Sequence, residues 1–171
     1  NIPVRKIELD EDEMEVIKSF NLITLKPIIY VANVSEEDIL NGGNSYYEAV
    51  KEYAKKENSE VVLICAKIES ELAELNDTDK TLFLKDLGIE ESGLDQLIKK
   101  TYSLLGLATF FTAGSDEVKA WTFKKGMKAP QCAGIIHSDF ERGFIRAEIM
   151  SYDDFCKYGS EKEVKENGKM R

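Results

Sequence analysis

Two short stretches carry side chains whose type and spacing could do recognition chemistry. One is Asn33-Val34-Ser35-Glu36, at the end of the apolar run Ile28–Ala32. The other is Cys65-Ala66-Lys67, at the end of "EVVLI". An Asn amide offers a donor and an acceptor in one plane, which matches the N6/N7 edge of adenine or the N7/O6 edge of guanine. A carboxylate three residues later can accept protons from a base edge. The same four residues, taken alone, are also an ordinary strand-end turn, so the spacing leaves both readings open.

The elements around these stretches decide whether they can meet. Ile28–Ala32 is continuously apolar rather than alternating, which predicts a strand buried on both faces, as in a parallel sheet. "NGGNS" is loop. "SYYEAVKEYAKK" places Tyr46, Val50, Tyr53 and Ala54 on one helical stripe. "EVVLICAK" is a second apolar strand that ends in Ala66-Lys67. Strand, helix, strand is a βαβ unit with a right-handed crossover, and ligands in such sheets sit at the carboxyl ends of the strands. Both stretches occupy that rim. The fold class is therefore α/β.

Elsewhere, "ELDEDEMEVIKSFN" predicts a short helix capped by Asp10 with Glu13 closing a capping box, and Met14, Ile17 and Phe20 on one face. "ESELAEL" is helical, and "NDTDKTLFLKDLGIEE" is polar and irregular. "SGLDQLIKKTYSLLG" is a helix capped by Ser92, with Leu94, Leu97 and Ile98 on one side and Gly106 at its end. Beyond Gly106 the period becomes two. Two strand-like runs flank Ala113-Gly114-Ser115-Asp116, a hairpin signal. "KAPQCAGIIHSDFERG" predicts one helix with Cys132, Ile135 and Ile136 inward. "FIRAEIM" predicts a strand, and "SYDDFCKYG" a helix capped by Ser151. The order ββαβα begins a β-grasp.

Composition narrows the classes. Of 171 residues, 43% are hydrophobic, enough for a core, and no apolar run approaches the ~20 residues of a membrane helix. Three separated cysteines and a single histidine argue against a zinc site and a disulfide framework, and fit reduced thiols in a cytoplasmic protein. The net charge of −9 is uneven: residues 1–106 hold 12 Lys and Arg against 22 Asp and Glu, a net of −10, and residues 107–171 hold 11 against 10, a net of +1. That shift predicts two units. In the second, Lys124, Lys125 and Lys128 follow Trp121 and Phe123, and Arg142 and Arg146 flank Phe144. Aromatics interleaved with cations suit RNA; the same aromatics could simply fill a core. The first residue is Asn1, not Met, which suggests a start within a longer protein.

"IYVANVSEED", "AKIE", "FFTAGSDEVKAWTF" and "HSDFERGFIRAEIM" together resemble the YchF subfamily of Obg-like P-loop ATPases over nearly the whole chain. The resemblance implies the C-terminal portion of a Ras-like P-loop nucleotide domain followed by a β-grasp (ubiquitin-like) TGS domain. Residues 1–20 would be the end of a helical insertion, 21–105 the C-terminal part of the nucleotide domain, and 106–171 a truncated TGS domain. It implies a cytoplasmic, ribosome-associated protein that hydrolyses ATP in preference to GTP, with the ribosome or its RNA as partner and neither membrane nor DNA. Asn33 would bond the adenine edge, Val34 would pack on the base with Ser35 and Glu36 shaping that side, and Cys65, Ala66 and Lys67 would hold the base from the second strand.

Guanine-reading relatives of that fold carry Asn-Lys-x-Asp at the first stretch. Val34 and Glu36 stand where the Lys and Asp would be, which predicts loss of guanine preference, because buried polar groups left unpaired are costly. No G-x-x-x-x-G-K-S/T occurs; the only Gly-Lys pair, Gly168-Lys169, is followed by Met. Residues for phosphate and Mg²⁺ are expected upstream, no catalytic or metal-binding residue is assigned here, and His137 is a helix residue. The isolated chain is expected to hydrolyse nothing. The rival expectation is an RNA-, ribosome- or protein-binding module with a vestigial nucleotide site.

Overall fold

The structure, a computed structural model, describes residues 2–114 and 116–171. The chain divides into two compact units, residues 1–107 and 108–171.

In the first unit Asp10 caps α1 (Glu11–Ser19), accepting from the Glu13 N–H while the Glu13 carboxylate accepts from the Asp10 N–H. Acids in that first turn also suit the helix dipole. β1 (Ile29–Asn33) then runs parallel to β2 (Glu60–Ile64), with Asn33 opposite Ile64. Between them lie α2 (Glu36–Leu40), capped by Ser35, and α3 (Ser45–Lys56), capped by Asn44. After β2 come α4 (Ala66–Ala73), α5 (Asp77–Asp86) and α6 (Gly93–Leu104). Cys65, Ile68, Leu72 and Leu84 form the buried cluster, flanked by Ile39, Leu75, Phe83, Leu87 and Ile89.

Several expectations change here. β1 is not buried on both faces: α3 packs against it, yet Val31 is left 45% exposed. The inward stripe of α3 is Tyr47, Val50 and Ala54, leaving Tyr46 and Tyr53 exposed. Residues 77–86 are helical, not irregular: Asn76 accepts from the N–H groups of Thr78 and Asp79, and Leu84 anchors the turn in the core. On α6, Leu94 and Ile98 are exposed.

The second unit opens with a two-stranded sheet of β3 (Leu107–Ala113) and β4 (Val118–Lys124). Of the expected hairpin turn, Ser115 lies outside the described residues, and the Gly114 N–H donates to the Glu117 carbonyl at 2.9 Å. The long helix expected after it is broken. α7 (Ala129–Ile136) stops at His137, whose backbone is extended (φ −160°, ψ 140°) and whose Nδ1 accepts from the Asp139 N–H, capping α8 (Ser138–Arg142). His137 is thus an exposed cap between two helices rather than a residue inside one. Residues 144–150 form no ladder; Ile145 is 91% exposed, and only Ile149 makes a reciprocal backbone pair, with Arg171. An apolar–polar alternation specifies a strand only when a partner edge is beside it. α9 (Tyr152–Tyr158) and α10 (Glu161–Glu166) follow, capped by Ser151 and Ser160, with Val164 fully buried.

The far end of the strand pair is fastened by Glu57. Its side chain is 6% exposed; it accepts from the Tyr30 hydroxyl at 2.6 Å and the Tyr53 hydroxyl at 3.2 Å, and pairs with Lys6 at 2.9 Å. The Tyr30 bond, then Lys6, pulls the Glu57 carboxyl down from 4.5 to about 2. The same bond pushes Tyr30 up from 10.0 to about 12. A lowered carboxyl stabilises the fold above its unfolded value and loses that contribution as pH falls; a raised phenol does so below its unfolded value and loses it as pH rises. The stability difference between wild type and Glu57→Gln should therefore be widest above pH 4.5 and close as pH falls towards about 2. Denaturant midpoints across that range measure it, and a difference independent of pH would contradict the assignment.

Candidate functional site

The tips of β1 and β2 meet because the parallel register sets Asn33 beside Ile64. The Val34 N–H donates to the Ile64 carbonyl at 2.9 Å, carrying the ladder one residue past the strand. The Asn33 side chain then crosses to the second tip: its Oδ1 accepts from the Ala66 N–H at 3.0 Å. The first N–H groups of a helix have no partner within the helix. Cys65, at the cap position of α4, supplies no side-chain bond, so Asn33 supplies one from the neighbouring strand. This fixes which way the amide faces.

Of the residues expected at a base site, Asn33, Val34, Ala66 and Lys67 do stand at one rim. Cys65 differs: it is 2% exposed and its side chain belongs to the core cluster, so only its backbone is left to a ligand. Ala66 and Lys67 are not strand end but the first residues of α4. Glu36 opens α2, and its Oε1 meets the Lys67 ammonium at 2.6 Å, a link between the two tips that sequence reasoning did not foresee. That contact raises the Lys67 pKa, with the Glu36 bond the leading cause. Ser35 holds the turn by donating to Asp38 Oδ2 at 2.8 Å and accepting from the Asp38 N–H at 3.1 Å. Asn44 donates to the same Asp38 oxygen at 2.9 Å, and these bonds, Ser35 first, lower the Asp38 pKa.

The second strand tip has a support that the sequence reading missed. The Glu69 carboxylate accepts from the N–H groups of Gly93 at 2.7 Å and Leu94 at 3.3 Å, tying α4 to the start of α6. The signal was there: a glycine opening a helix directly after its Ser cap. A Cβ on Gly93 would lie 2.6 Å from Cγ2 of Ile64, the strand partner of Asn33.

Chemically, the rim leaves the Asn33 amide nitrogen free to donate, since no described residue accepts from it. Its oxygen keeps a second lone pair. That combination fits N7 and the N6 amino group of adenine. Among the described residues no group of His, Cys, Asp or Glu is disposed to hold a metal ion.

In the second unit all five expected surface cations are exposed: Lys124 ends β4, Lys125 and Lys128 lie in the connection to α7, Arg142 ends α8 and Arg146 lies in the extended stretch. None makes an ion pair among the described residues. Trp121, Phe123 and Phe144 are half-buried. Trp121 donates to the Thr112 hydroxyl at 2.9 Å, and Phe110 meets Phe123 edge-on at 5.8 Å. No helix of the described residues is long and apolar enough to cross a membrane.

These features describe an α/β chain with a parallel βαβ unit, its tips cross-linked at the carboxyl end, and a separate unit built on a hairpin. Residues 107–171 match the family model YchF-GTPase_C, described as a protein of unknown function (DUF933). The chain is 59% identical over 170 residues to the ribosome-binding ATPase YchF of Bacillus subtilis, covering 99% of this chain and 46% of that protein. It is 54% identical over 168 residues to the protein of the same name from Pasteurella multocida, covering 98% and 46%. The solved YchF GTPase of Schizosaccharomyces pombe superposes with a TM-score of 0.83 at 37% identity, covering 98% of this chain and 44% of that one. The chain belongs to the YchF family. It spans about half the length of the relatives it matches, and corresponds to their C-terminal part.

The crowding at Gly93 gives a test of the support layer. Gly93→Ala gains about 1 kcal/mol of helix propensity at most, against about 1–3 kcal/mol for forcing a methyl into packed Ile64. It should lower stability in chemical denaturation by about 1 kcal/mol; an unchanged or raised midpoint would show that the α6 start yields freely.

Proposed function

We propose that the complete protein is a ribosome-associated ATPase that uses ATP in preference to GTP, and that this chain supplies its base-reading strand tips and its C-terminal unit. Residues preceding this stretch would supply the phosphate loop, the Mg²⁺ ligands and the water-positioning groups, so the chain alone is inactive. In this reading residues 1–20 end a helical insertion, 21–105 complete the nucleotide domain, 106–171 are a TGS domain of β-grasp type, and the protein works in the cytoplasm.

The observation that carries the reading is the Asn33 amide held by Ala66, with nitrogen free and oxygen half-occupied. The relatives' names support hydrolysis and ribosome binding but differ on the nucleotide: the bacterial proteins are called ATPases and the fission-yeast protein a GTPase. The rim favours adenine. Guanine presents a carbonyl at position 6, which would face the Asn33 oxygen, whereas adenine presents N–H there.

A good bidentate amide–adenine pair contributes about 1–3 kcal/mol. Asn33→Ala in the full-length protein should weaken ATP binding about tenfold or more, read by calorimetry with a non-hydrolysable analogue. Binding at wild-type strength would remove the base from these tips.

The exposed cations of the second unit are the ribosome-facing surface in this proposal. Reversing Lys124, Lys125 and Arg142 to Glu should reduce co-sedimentation with ribosomes and flatten its dependence on salt, since fewer counterions are released per contact. Undiminished co-sedimentation would assign the contact elsewhere.

A further inference from the structure

Reading a purine against its alternative requires the wrong base to meet unpaired groups. Guanine asks two things of this rim. Its O6 needs a donor, and its N1–H and N2–H₂ edge needs an acceptor, best a carboxylate. A backbone donor of this rim, the Ala66 N–H, is occupied by Asn33 Oδ1 at 3.0 Å. A carboxylate of this rim, Glu36, is occupied by the Lys67 ammonium at 2.6 Å. Both groups are closed on partners from the opposite tip.

Lys67 is oddly placed for a helix. It is the second residue of α4, where a cation faces the positive end of the dipole. Helix stability does not account for it there. Its side chain is 70% exposed and touches a second acid, Glu71, only at 4.0 Å. Its one short contact is the carboxylate of α2, across the mouth between the tips.

We infer that Lys67 is a specificity-determining residue: by holding the Glu36 carboxylate, it denies guanine the acceptor its N1 and N2 protons require and so biases the site towards adenine. The inference rests on the base-site reading given above. Glu36 is one methylene longer than the Asp of guanine-reading sites, and that length lets it reach Lys67. Without the ammonium, the same length lets it swing to the base. Exposed ion pairs are weak, commonly below about 1 kcal/mol, so the expected bias is several-fold.

The test uses the full-length protein and non-hydrolysable ATP and GTP analogues, with the ratio of the two dissociation constants as readout. Lys67→Met keeps the apolar stem and removes the charge. It should improve GTP-analogue binding relative to ATP-analogue binding by about two- to fivefold. The double variant with Glu36→Gln should return the ratio to the wild-type value, because the gain needs the freed carboxylate. Loss of stem packing alone would change both affinities together and leave the ratio where it was. An unchanged ratio in Lys67→Met, or a shift that survives Glu36→Gln, overturns the inference while Asn33→Ala still reports on the pocket. If Asn33→Ala binds both analogues as wild type does, the base-site reading fails and takes this inference with it.

Discussion

One hydrogen bond, from the Ala66 N–H to Asn33 Oδ1, sets the geometry on which the rest of the rim depends. Its net worth is ordinary, about 1 kcal/mol. Its consequence is larger than its energy. It joins the tip of one parallel strand to the first turn of the helix that follows the other, and it decides which atom of the amide faces outward. Flipping that amide would set an NH₂ group against the Ala66 N–H, donor against donor. The orientation is therefore fixed before any ligand arrives, which lowers the cost of binding one.

The strand pair under this bond is held at both ends by unrelated means. At the amino end, Glu57 collects two hydroxyls and an ammonium in a nearly dry site, fastening β1 and α3 to the 3₁₀ turn Val4–Lys6. At the carboxyl end, Glu69 caps α6 and brings Gly93 against Ile64. Lys100, from the same helix, donates to the Val61 carbonyl at 2.7 Å and so braces β2 near its start. Each is a charged group bonded to backbone or hydroxyl, a stronger class of contact than a neutral pair. The apolar cluster beneath is small, so these polar ties carry much of the positioning.

Local chemistry was legible in the sequence and long-range chemistry was not. The Asp10–Glu13 box, the Ser92 and Ser151 caps and the turn at Gly106 all depend on residues within a few positions of one another. The parallel pairing of the two apolar runs followed from their composition and spacing. Glu57 with Tyr30, and Glu69 with Gly93, join residues 27 and 24 positions apart, and no periodicity announces them. α5 was hidden because its one core anchor, Leu84, leaves no stripe, so the Asn76 cap was the better clue. Residues 144–150 failed in the opposite sense: the alternation is clear, and the ladder is missing because the described residues put no strand beside it. At the site, the residue types pointed to a base edge, yet Cys65 went inward because the tip that presents Ala66 must also close the core.

Charge distribution separates the roles of the two units. Residues 1–106, at a net of −10, repel any polyanion in bulk. A nucleotide must then be captured by directed groups, and a neutral amide reading a neutral base edge works regardless of the surrounding field. RNA is different, because its affinity comes chiefly from phosphates and scales with the cations that meet them. Residues 107–171, near neutrality and with Lys124, Lys125, Lys128, Arg142 and Arg146 exposed and in no ion pair among the described residues, are the half of the chain whose electrostatics allow such a contact. In the proposed reading, the small anionic ligand at the strand tips and the large one met by charge fall to different units of the chain.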